Sequence, residues 1–326
     1  MSDRPPRSNR LGDQPVGDDT GWGFAGDPER LWTFEEISEI KTRAADHGLE
    51  IAAIENFDPA HWHDVLLDGP KKAAQFENLK ILVRNVGRAG IPVIGYNFSL
   101  AGVAGRVKGP WGRGGAEVVA MEGNFDKPIP NGMVWNMVYD ANAPEGILPA
   151  VTSEELWRRH GDFLDALLPV AEECGVTLAA HPDDPPTETV RGQPRLVNQP
   201  HLYQRLLDRH PSPRNALEFC LGTLAEMTGG DIYDAVDSYS RQGKIAYIHF
   251  RNVQGKAPRY RETFVDEGDI DMIRVLRILK KNGFDGVLIP DHAPQMTCAA
   301  PWHAGMAYAC GWMQAALRIG EAPASN

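Results

Sequence analysis

A chain of 326 residues, 42% hydrophobic and 24% charged, is long enough for one sizeable α/β domain and has the composition of a soluble globular enzyme. Its net charge of −11 excludes the basic surface that binding to nucleic acid or to an anionic membrane needs, so we expect neither partner. Sparse cysteines without a CxxC motif, no long apolar run and no secretory signal lead us to expect a cytoplasmic protein.

The predicted elements begin after a polar segment rich in Pro and Gly. Residues 1–28 are predicted to form an irregular arm, and residues 29–326 a single domain. Amphipathic helices that end in glycine are predicted at 32–48, 73–90, 152–175 and 271–283. Short apolar strands are predicted at 49–56, 91–98, 176–180, 215–222, 244–252 and 286–292. This alternation indicates an α/β fold with a parallel sheet that helices cover.

The most suitable architecture for this pattern is a (β/α)₈ TIM barrel, although only six of its eight strands are clear. Residues 11–19 are a weak candidate for a first strand, because they carry several acids and glycines. Residues 99–150 interrupt the alternation after an early strand. They are rich in glycine and then contain extended pieces at 116–123 and 132–140, which predict a β-hairpin or lid, with a disordered loop as the alternative.

Four late strands end in residues that can bind a metal: His181, Cys220, His249 and Asp291. Taken singly, each has an ordinary explanation, because a buried Cys is usually a small hydrophobe, a His a core residue and an Asp a turn residue. Because the four follow one another by about one βα repeat, neighbouring strands would carry them into the same mouth of a barrel. Two imidazoles, a thiolate and a carboxylate suit a divalent metal, and the thiolate favours Zn²⁺.

Several motifs occur here in a characteristic order: HPDDPP, EFCLGTLAEM, IHFRNV, DEGDIDM and PDH. Together with LEIAAIEN, NVGRAGIPVIGYNF and WTFEEISEIK, they make the chain resemble the mannonate dehydratase family over about residues 30–320. The resemblance implies a barrel of xylose-isomerase-like type and the removal of water from D-mannonate to give 2-keto-3-deoxy-gluconate. It also implies Mn²⁺ on the same four residues, while Fe²⁺, Co²⁺ and Zn²⁺ stay open. Barrels of this type often self-associate, so we expect a homo-oligomer.

Dehydrating a sugar acid requires a base for the proton next to the carboxylate and an acid for the leaving hydroxyl. The resemblance points to His292 and Tyr308 for these roles, with Asp291 as the neighbouring metal ligand, but it does not say which is the acid. An aromatic residue that only packs its helix is the alternative for Tyr308.

Side chains predicted to bind the substrate are Asn97, Arg106, Arg251 and Asn252. Arg113 is a further candidate, for which a surface role is as good an explanation. Asp183 and Asp184 are expected to cap a helix or to orient His181, with a direct catalytic role as the alternative.

Three residues depart from the pattern of the family, namely Ile289, Ala293 and Val265. Because the predicted metal ligands are kept while these neighbours differ, the substrate can be another sugar acid. A sugar isomerase, an epimerase or another lyase on the same metal barrel is therefore the second hypothesis. A sugar-binding protein without turnover is the third, and the presence of His292 and Tyr308 argues against it.

Overall fold

The computed structural model describes residues 30–319 of the chain. The predicted N-terminal arm and the weak candidate for a first strand lie outside the described residues. Of the helices in the described part, none combines the length and the apolar character needed to cross a membrane.

Over residues 30–319 the α-helices are α1 (Phe34–Asp46), α2 (His63–Leu67), α3 (Lys72–Arg88), α4 (Ser153–Cys174), α5 (Leu202–Arg209), α6 (Leu221–Glu226), α7 (Ile232–Arg241), α8 (Met272–Lys281) and α9 (Pro301–Ile319). Over the same residues the strands are β1 (Ile54–Glu55), β2 (Val93–Tyr96), β3 (Arg106–Gly109), β4 (Val118–Glu122), β5 (Met133–Val134), β6 (Met137–Val138), β7 (Thr177–Ala180), β8 (Thr189–Val190), β9 (Gln193–Pro194), β10 (Asn215–Cys220), β11 (Ile245–His249), β12 (Val253–Lys256), β13 (Arg259–Glu262) and β14 (Val287–Ile289).

Six parallel strands form the main sheet, in the order β1-β2-β7-β10-β11-β14. They are the six strands predicted from the sequence, although the first is only two residues long. Since the spatial order follows the chain order, each strand and its helix advance the curled sheet by one position, as in a half-barrel. The carboxyl ends of all six strands therefore lie along one edge.

Helix α4 shows why the predicted helices form where they do. Thr152 is its N-cap and accepts a hydrogen bond from the backbone N–H of Glu155, and Gly175 ends the helix in the left-handed conformation at φ 71°. Apolar residues such as Phe163 and Leu167 are fully buried. The helix packs against α3, where Gly87 leaves room for Cys174: a Cβ at Gly87 would lie 2.8 Å from the Cβ of Cys174.

Residues 99–150 do contain hairpins, but the two predicted extended pieces do not pair with each other: β4 pairs in antiparallel fashion with β3, which lies in the glycine-rich part before them. Strand β4, from the first extended piece, also pairs with β13, which makes a four-stranded sheet in the order β12-β13-β4-β3. The second piece forms its own short hairpin, β5 and β6. The insertion is therefore joined to the hairpin that follows β11, next to the edge where the parallel strands end.

Candidate metal centre

Three neighbouring strands of the parallel sheet end in residues of metal-binding type. His181 follows β7, Cys220 ends β10 and His249 ends β11, with Cys220 and His249 as register partners. One donor atom from each of these side chains lies within 4.8 Å of the other two. Two imidazoles and a thiolate at this spacing fit a single divalent cation. The structure thus brings together three of the four predicted metal ligands.

The surroundings of Cys220 are polar, unlike those of a cysteine that only fills a core. Its Sγ accepts hydrogen bonds from the Thr223 hydroxyl at 3.2 Å and from Nη2 of Arg251 at 3.4 Å. Burial by itself raises the pKa of the Cys220 thiol, but Arg251, His181 and His249 outweigh it and hold that pKa well below its usual value. Since the thiolate is the form that binds metals, these contacts favour a ligand role.

Asp291, the fourth predicted ligand, lies beside this group of three residues. Its Oδ1 is 3.6 Å from Nδ1 of His249, and its Oδ2 is 3.1 Å from Nε of Arg251. Burial opposes ionisation, yet the charges of His292, His249 and Arg251 hold the pKa of Asp291 below its usual range. The carboxylate is therefore ionised next to His249, at the side of the group of three residues.

Two carboxylates that the sequence analysis did not select, Glu55 and Glu218, also face His249. Glu55 ends β1, and its Oε2 lies 3.3 Å from Nε2 of His249, while Oε1 of Glu218 lies 3.0 Å from the same nitrogen. Burial, followed by the charge of Glu55, raises the pKa of Glu218 to about 7. The sequence did carry a signal: Glu218 is a charged residue inside an apolar strand, two positions before Cys220 and so on the same face.

Both arginines predicted to bind substrate, Arg106 and Arg251, are buried in a network of ion pairs. Arg106, on β3, pairs with Asp184. Arg251 pairs with Asp184 at 2.9 Å and with Glu262 on β13. The positive charge of these two arginines lies at the edge where the parallel strands end, but carboxylates of the chain already neutralise most of it. A substrate carboxylate would have to compete with these partners.

The expectation that Asp183 and Asp184 cap a helix or orient His181 is not what the contacts show. Asp183 accepts hydrogen bonds from the backbone N–H groups of Leu196 and Val197, each at 2.7 Å, and thereby holds its own loop. Asp184 binds the two arginines instead. Nδ1 of His181 lies 2.6 Å from the carbonyl oxygen of Pro182, so the backbone orients this imidazole.

His292 and Tyr308 line one cleft beside the cluster, together with Arg251 and Asn252. Nδ1 of His292 lies 2.7 Å from Oε1 of Glu262, and this contact orients the ring. Burial alone would lower the pKa of His292, but the charges of Asp291 and Glu262 raise it. The hydroxyl of Tyr308 donates to Asp266 at 2.8 Å and accepts from the exposed Arg113 at 3.0 Å. Tyr308 is thus more than a helix-packing aromatic, although its hydroxyl is already engaged.

The two asparagines predicted to bind substrate have different surroundings. Asn97 follows β2 and is 5% exposed, and among residues 30–319 its Oδ1 has no hydrogen-bond partner. The side chain of Asn252 is used by the backbone: it donates to the carbonyl groups of Val265 and Ile270 and accepts from the N–H groups of Val253 and Ile270. These contacts favour a structural role for Asn252 and leave Asn97 available.

Comparison with known proteins relates this chain to one family of enzymes. The family model of UxuA, D-mannonate dehydratase, matches residues 14–108 and 146–314. A mannonate dehydratase of Streptococcus suis is 32% identical over 279 residues, which cover 81% of this chain and 75% of the relative. The crystal structure of mannonate dehydratase from Streptococcus suis serotype 2 superposes with a TM-score of 0.74 at 29% identity, covering 93% of this chain and 86% of that one.

A more distant structure bears on the fold alone. A xylose isomerase domain protein from Planctomyces limnophilus gives a TM-score of 0.54 at 13% identity, covering 89% of this chain and 84% of that chain. The predicted xylose-isomerase-like barrel fold is thereby confirmed. Since the family model spans most of the sequence and the S. suis relative exceeds 30% identity over four-fifths of it, the chain belongs to the mannonate dehydratase family.

Proposed function

We propose that this chain is a metal-dependent hydro-lyase that removes water from D-mannonate, or from a related sugar acid, to give a 2-keto-3-deoxy sugar acid. The observation that carries the proposal is the convergence of His181, Cys220 and His249 at the mouth of the parallel sheet. The relatives described above are mannonate dehydratases, so D-mannonate is the first substrate to test.

The ion that we assign to this site is Mn²⁺, held by His181, Cys220, His249 and Asp291. When bound, it would supply positive charge to oxygens of the sugar acid and make the proton on the carbon next to the carboxylate easier to remove. Zn²⁺, Fe²⁺ and Co²⁺ suit the same donor set and belong in the metal panel.

His292 and Tyr308 are the residues that we assign to the two proton transfers. Both line the cleft beside the cluster, and Glu262 fixes the ring of His292. One of them takes the proton from the carbon next to the carboxylate, and the other protonates the hydroxyl that leaves the next carbon as water. The enol that remains then becomes the 2-keto acid. Arg106 and Arg251 keep positive charge at the mouth, and Asn97 offers a free amide oxygen to a sugar hydroxyl.

A sugar isomerase or epimerase is the second candidate, and the lining of the cleft favours it. Val265 and Ala293 line the cleft next to His292, so its wall is apolar at two of the positions where the sequence departs from the family pattern. An apolar wall suits a neutral sugar better than an acid. Ile289, the third departure, ends β14.

The test is to incubate the full-length, Mn²⁺-loaded protein with a panel of hexonates and to assay the 2-keto-3-deoxy product. We expect product from D-mannonate or another hexonate, and none from His181→Ala. His303→Ala, which changes an exposed histidine of α9, is the matched control and should keep wild-type turnover. Failure of every aldonate, together with isomerisation of a neutral sugar, would replace the first candidate by the second. We also propose that the protein forms a homo-oligomer and is located in the cytoplasm. Analytical ultracentrifugation measures the oligomeric state.

A further inference from the structure

A second group of potential metal ligands lies next to the first and shares one residue with it. One donor atom each from Glu55, Glu218 and His249 lies within 4.8 Å of the other two. His181 and Cys220 belong to the first group but not to this one. The two groups therefore mark adjacent positions that share the His249 imidazole.

The carboxylate of Glu218 is fully buried, and among residues 30–319 its one ion pair is with the imidazole of His249. Its side chain has 0% exposure, and among residues 30–319 neither of its oxygens has a hydrogen-bond partner. An unpaired carboxylate inside a protein is costly, so such groups are normally paired or coordinate a metal. Nε2 of His249 lies 3.0 Å from Glu218 and 3.3 Å from Glu55, so one imidazole faces two carboxylates.

The charges around His249 are unevenly distributed. Its Nδ1 faces Asp291, whose carboxylate also pairs with Arg251. On the Nε2 side, in the described part of the chain, Glu55 and Glu218 form no ion pair with an arginine or a lysine. On that side the two carboxylates share the His249 imidazole as their ionic partner.

The backbone leaves room for the carboxylate of Glu218 at one specific residue. Gly95 on β2 is the register partner of Glu55 on β1. A Cβ at Gly95 would lie 2.4 Å from Oε2 of Glu218 and 2.1 Å from the hydroxyl of Tyr247. Glycine at this position therefore leaves room for the Glu218 carboxylate and the Tyr247 hydroxyl next to β2.

We propose that Glu55, Glu218 and Nε2 of His249 bind a second divalent cation, adjacent to the position formed by His181, Cys220 and His249. The imidazole would release its ring proton to solvent when the second ion binds, so that Nδ1 serves the first ion and Nε2 the second. Two carboxylates and an imidazole suit Mn²⁺, Fe²⁺ or Zn²⁺, and an ion there neutralises both carboxylates. The site does not depend on the sugar acid, so this inference stands apart from the proposed function.

The first test counts Mn²⁺ ions per chain in the full-length protein, by equilibrium dialysis and elemental analysis. We expect two in the wild type and one in the double variant Glu55→Gln/Glu218→Gln, which removes the charges but keeps the side-chain volumes. Cys220→Ser, which changes the other position, should also keep one. One ion in the wild type, or equal counts in the wild type and the double variant, would overturn the proposal.

The second test uses only the wild-type protein, so it tests for the second ion even where a variant fails to fold. In Mn²⁺-saturated wild-type protein, two ions on either side of one imidazole give a spin-coupled electron paramagnetic resonance spectrum. A spectrum of uncoupled Mn²⁺ at saturation overturns the second site. Turnover of D-mannonate is measured separately. If the protein is active with one ion per chain, only the second metal site is contradicted. If it binds two ions per chain but has no activity, only the proposed function is contradicted.

Discussion

Asp184 connects the insertion to the parallel sheet through a single buried side chain. It follows β7 by a short loop, pairs with Arg106 on β3 and with Arg251 after β11, and accepts a hydrogen bond from the Tyr260 hydroxyl at 3.1 Å. Burial by itself raises the pKa of Asp184, but Arg106 and Arg251 outweigh it and hold that pKa far below its usual range. The mouth of the sheet therefore keeps its shape through charge as much as through apolar packing.

Replacing Asp184 by Asn should cost about 3–5 kcal/mol in the free energy of unfolding, because two buried guanidinium groups lose a charged partner. Urea denaturation measures this cost. Asp162→Asn is the matched control: the Asp162 side chain is 36% exposed and pairs with Lys72 and Arg158, so its loss should cost less than about 1 kcal/mol. Equal effects of the two variants would contradict the structural role of the Asp184 network.

Cys220→Ser should weaken binding at the His181 position about tenfold or more, since a hydroxyl is a much poorer ligand than a thiolate for a borderline metal. Co²⁺ is the best probe, because a Co²⁺–thiolate bond gives a charge-transfer absorption band in the near ultraviolet. The wild type should show the band and Cys220→Ser should lack it. Cys310→Ser, on an exposed residue of α9, should keep it. A band that survives Cys220→Ser would remove Cys220 from the set of ligands.

At the scale of single residues, the sequence predicted part of the candidate metal centre. His181, Cys220 and His249 were predictable because each ends an apolar strand, and parallel strands end at the same edge. Glu55 was missed because a charged residue at the end of a short strand is also typical of a solvent-exposed turn. The partners of Arg106 could not be predicted, because the insertion gives no local signal of which loop it will meet.

Among the secondary-structure elements, the four predicted helices and the six parallel strands follow the sequence closely. Helix α1 begins with a capping box in which Thr33 and Glu36 bond each other's backbone N–H groups, and α4 begins after its N-cap Thr152. These signals lie within a few residues, so the sequence alone reveals them. The four-stranded sheet is different, because β4 pairs with β13 more than a hundred residues away. Alternation along a strand predicts its buried face but does not identify its partner.

Thr152→Ala should cost about 1 kcal/mol, because the backbone N–H of Glu155 loses its hydrogen-bond acceptor at 3.1 Å. Thr152→Ser keeps the hydroxyl and should stay within a few tenths of a kcal/mol of the wild type. Denaturant unfolding followed by circular dichroism compares the two variants. If both lose the same stability, the methyl group rather than the cap accounts for the contribution of Thr152.

For the whole molecule, stability depends on how the parallel sheet and its helices enclose polar groups, of which His160 is the clearest case outside the mouth. His160 lies on α4 and is 1% exposed, packed against Tyr96, Phe98 and Trp157. Its Nε2 lies 3.0 Å from the Tyr96 hydroxyl, so α4 and β2 are joined here by a polar contact inside an aromatic cluster. The native state therefore holds an imidazole where a charge is poorly tolerated.

Burial, reinforced by His210 and Arg209, lowers the pKa of His160 to about 3 from an ordinary value of 6.5 in the unfolded chain. Between these two values only the unfolded chain binds the proton, so acidification from pH 6.5 towards pH 3 favours unfolding, whereas above pH 6.5 the residue has no effect on the pH dependence. This histidine should lower the free energy of unfolding by about 2 kcal/mol between pH 7 and pH 5.

His160→Gln should remove this difference of about 2 kcal/mol between urea titrations at pH 7 and pH 5, whatever the substitution costs in stability at pH 7. Tyr96→Phe removes the hydroxyl but keeps the buried imidazole, so it should lower stability while retaining the wild-type slope. An unchanged slope in His160→Gln would mean that other groups account for the acid sensitivity of the fold.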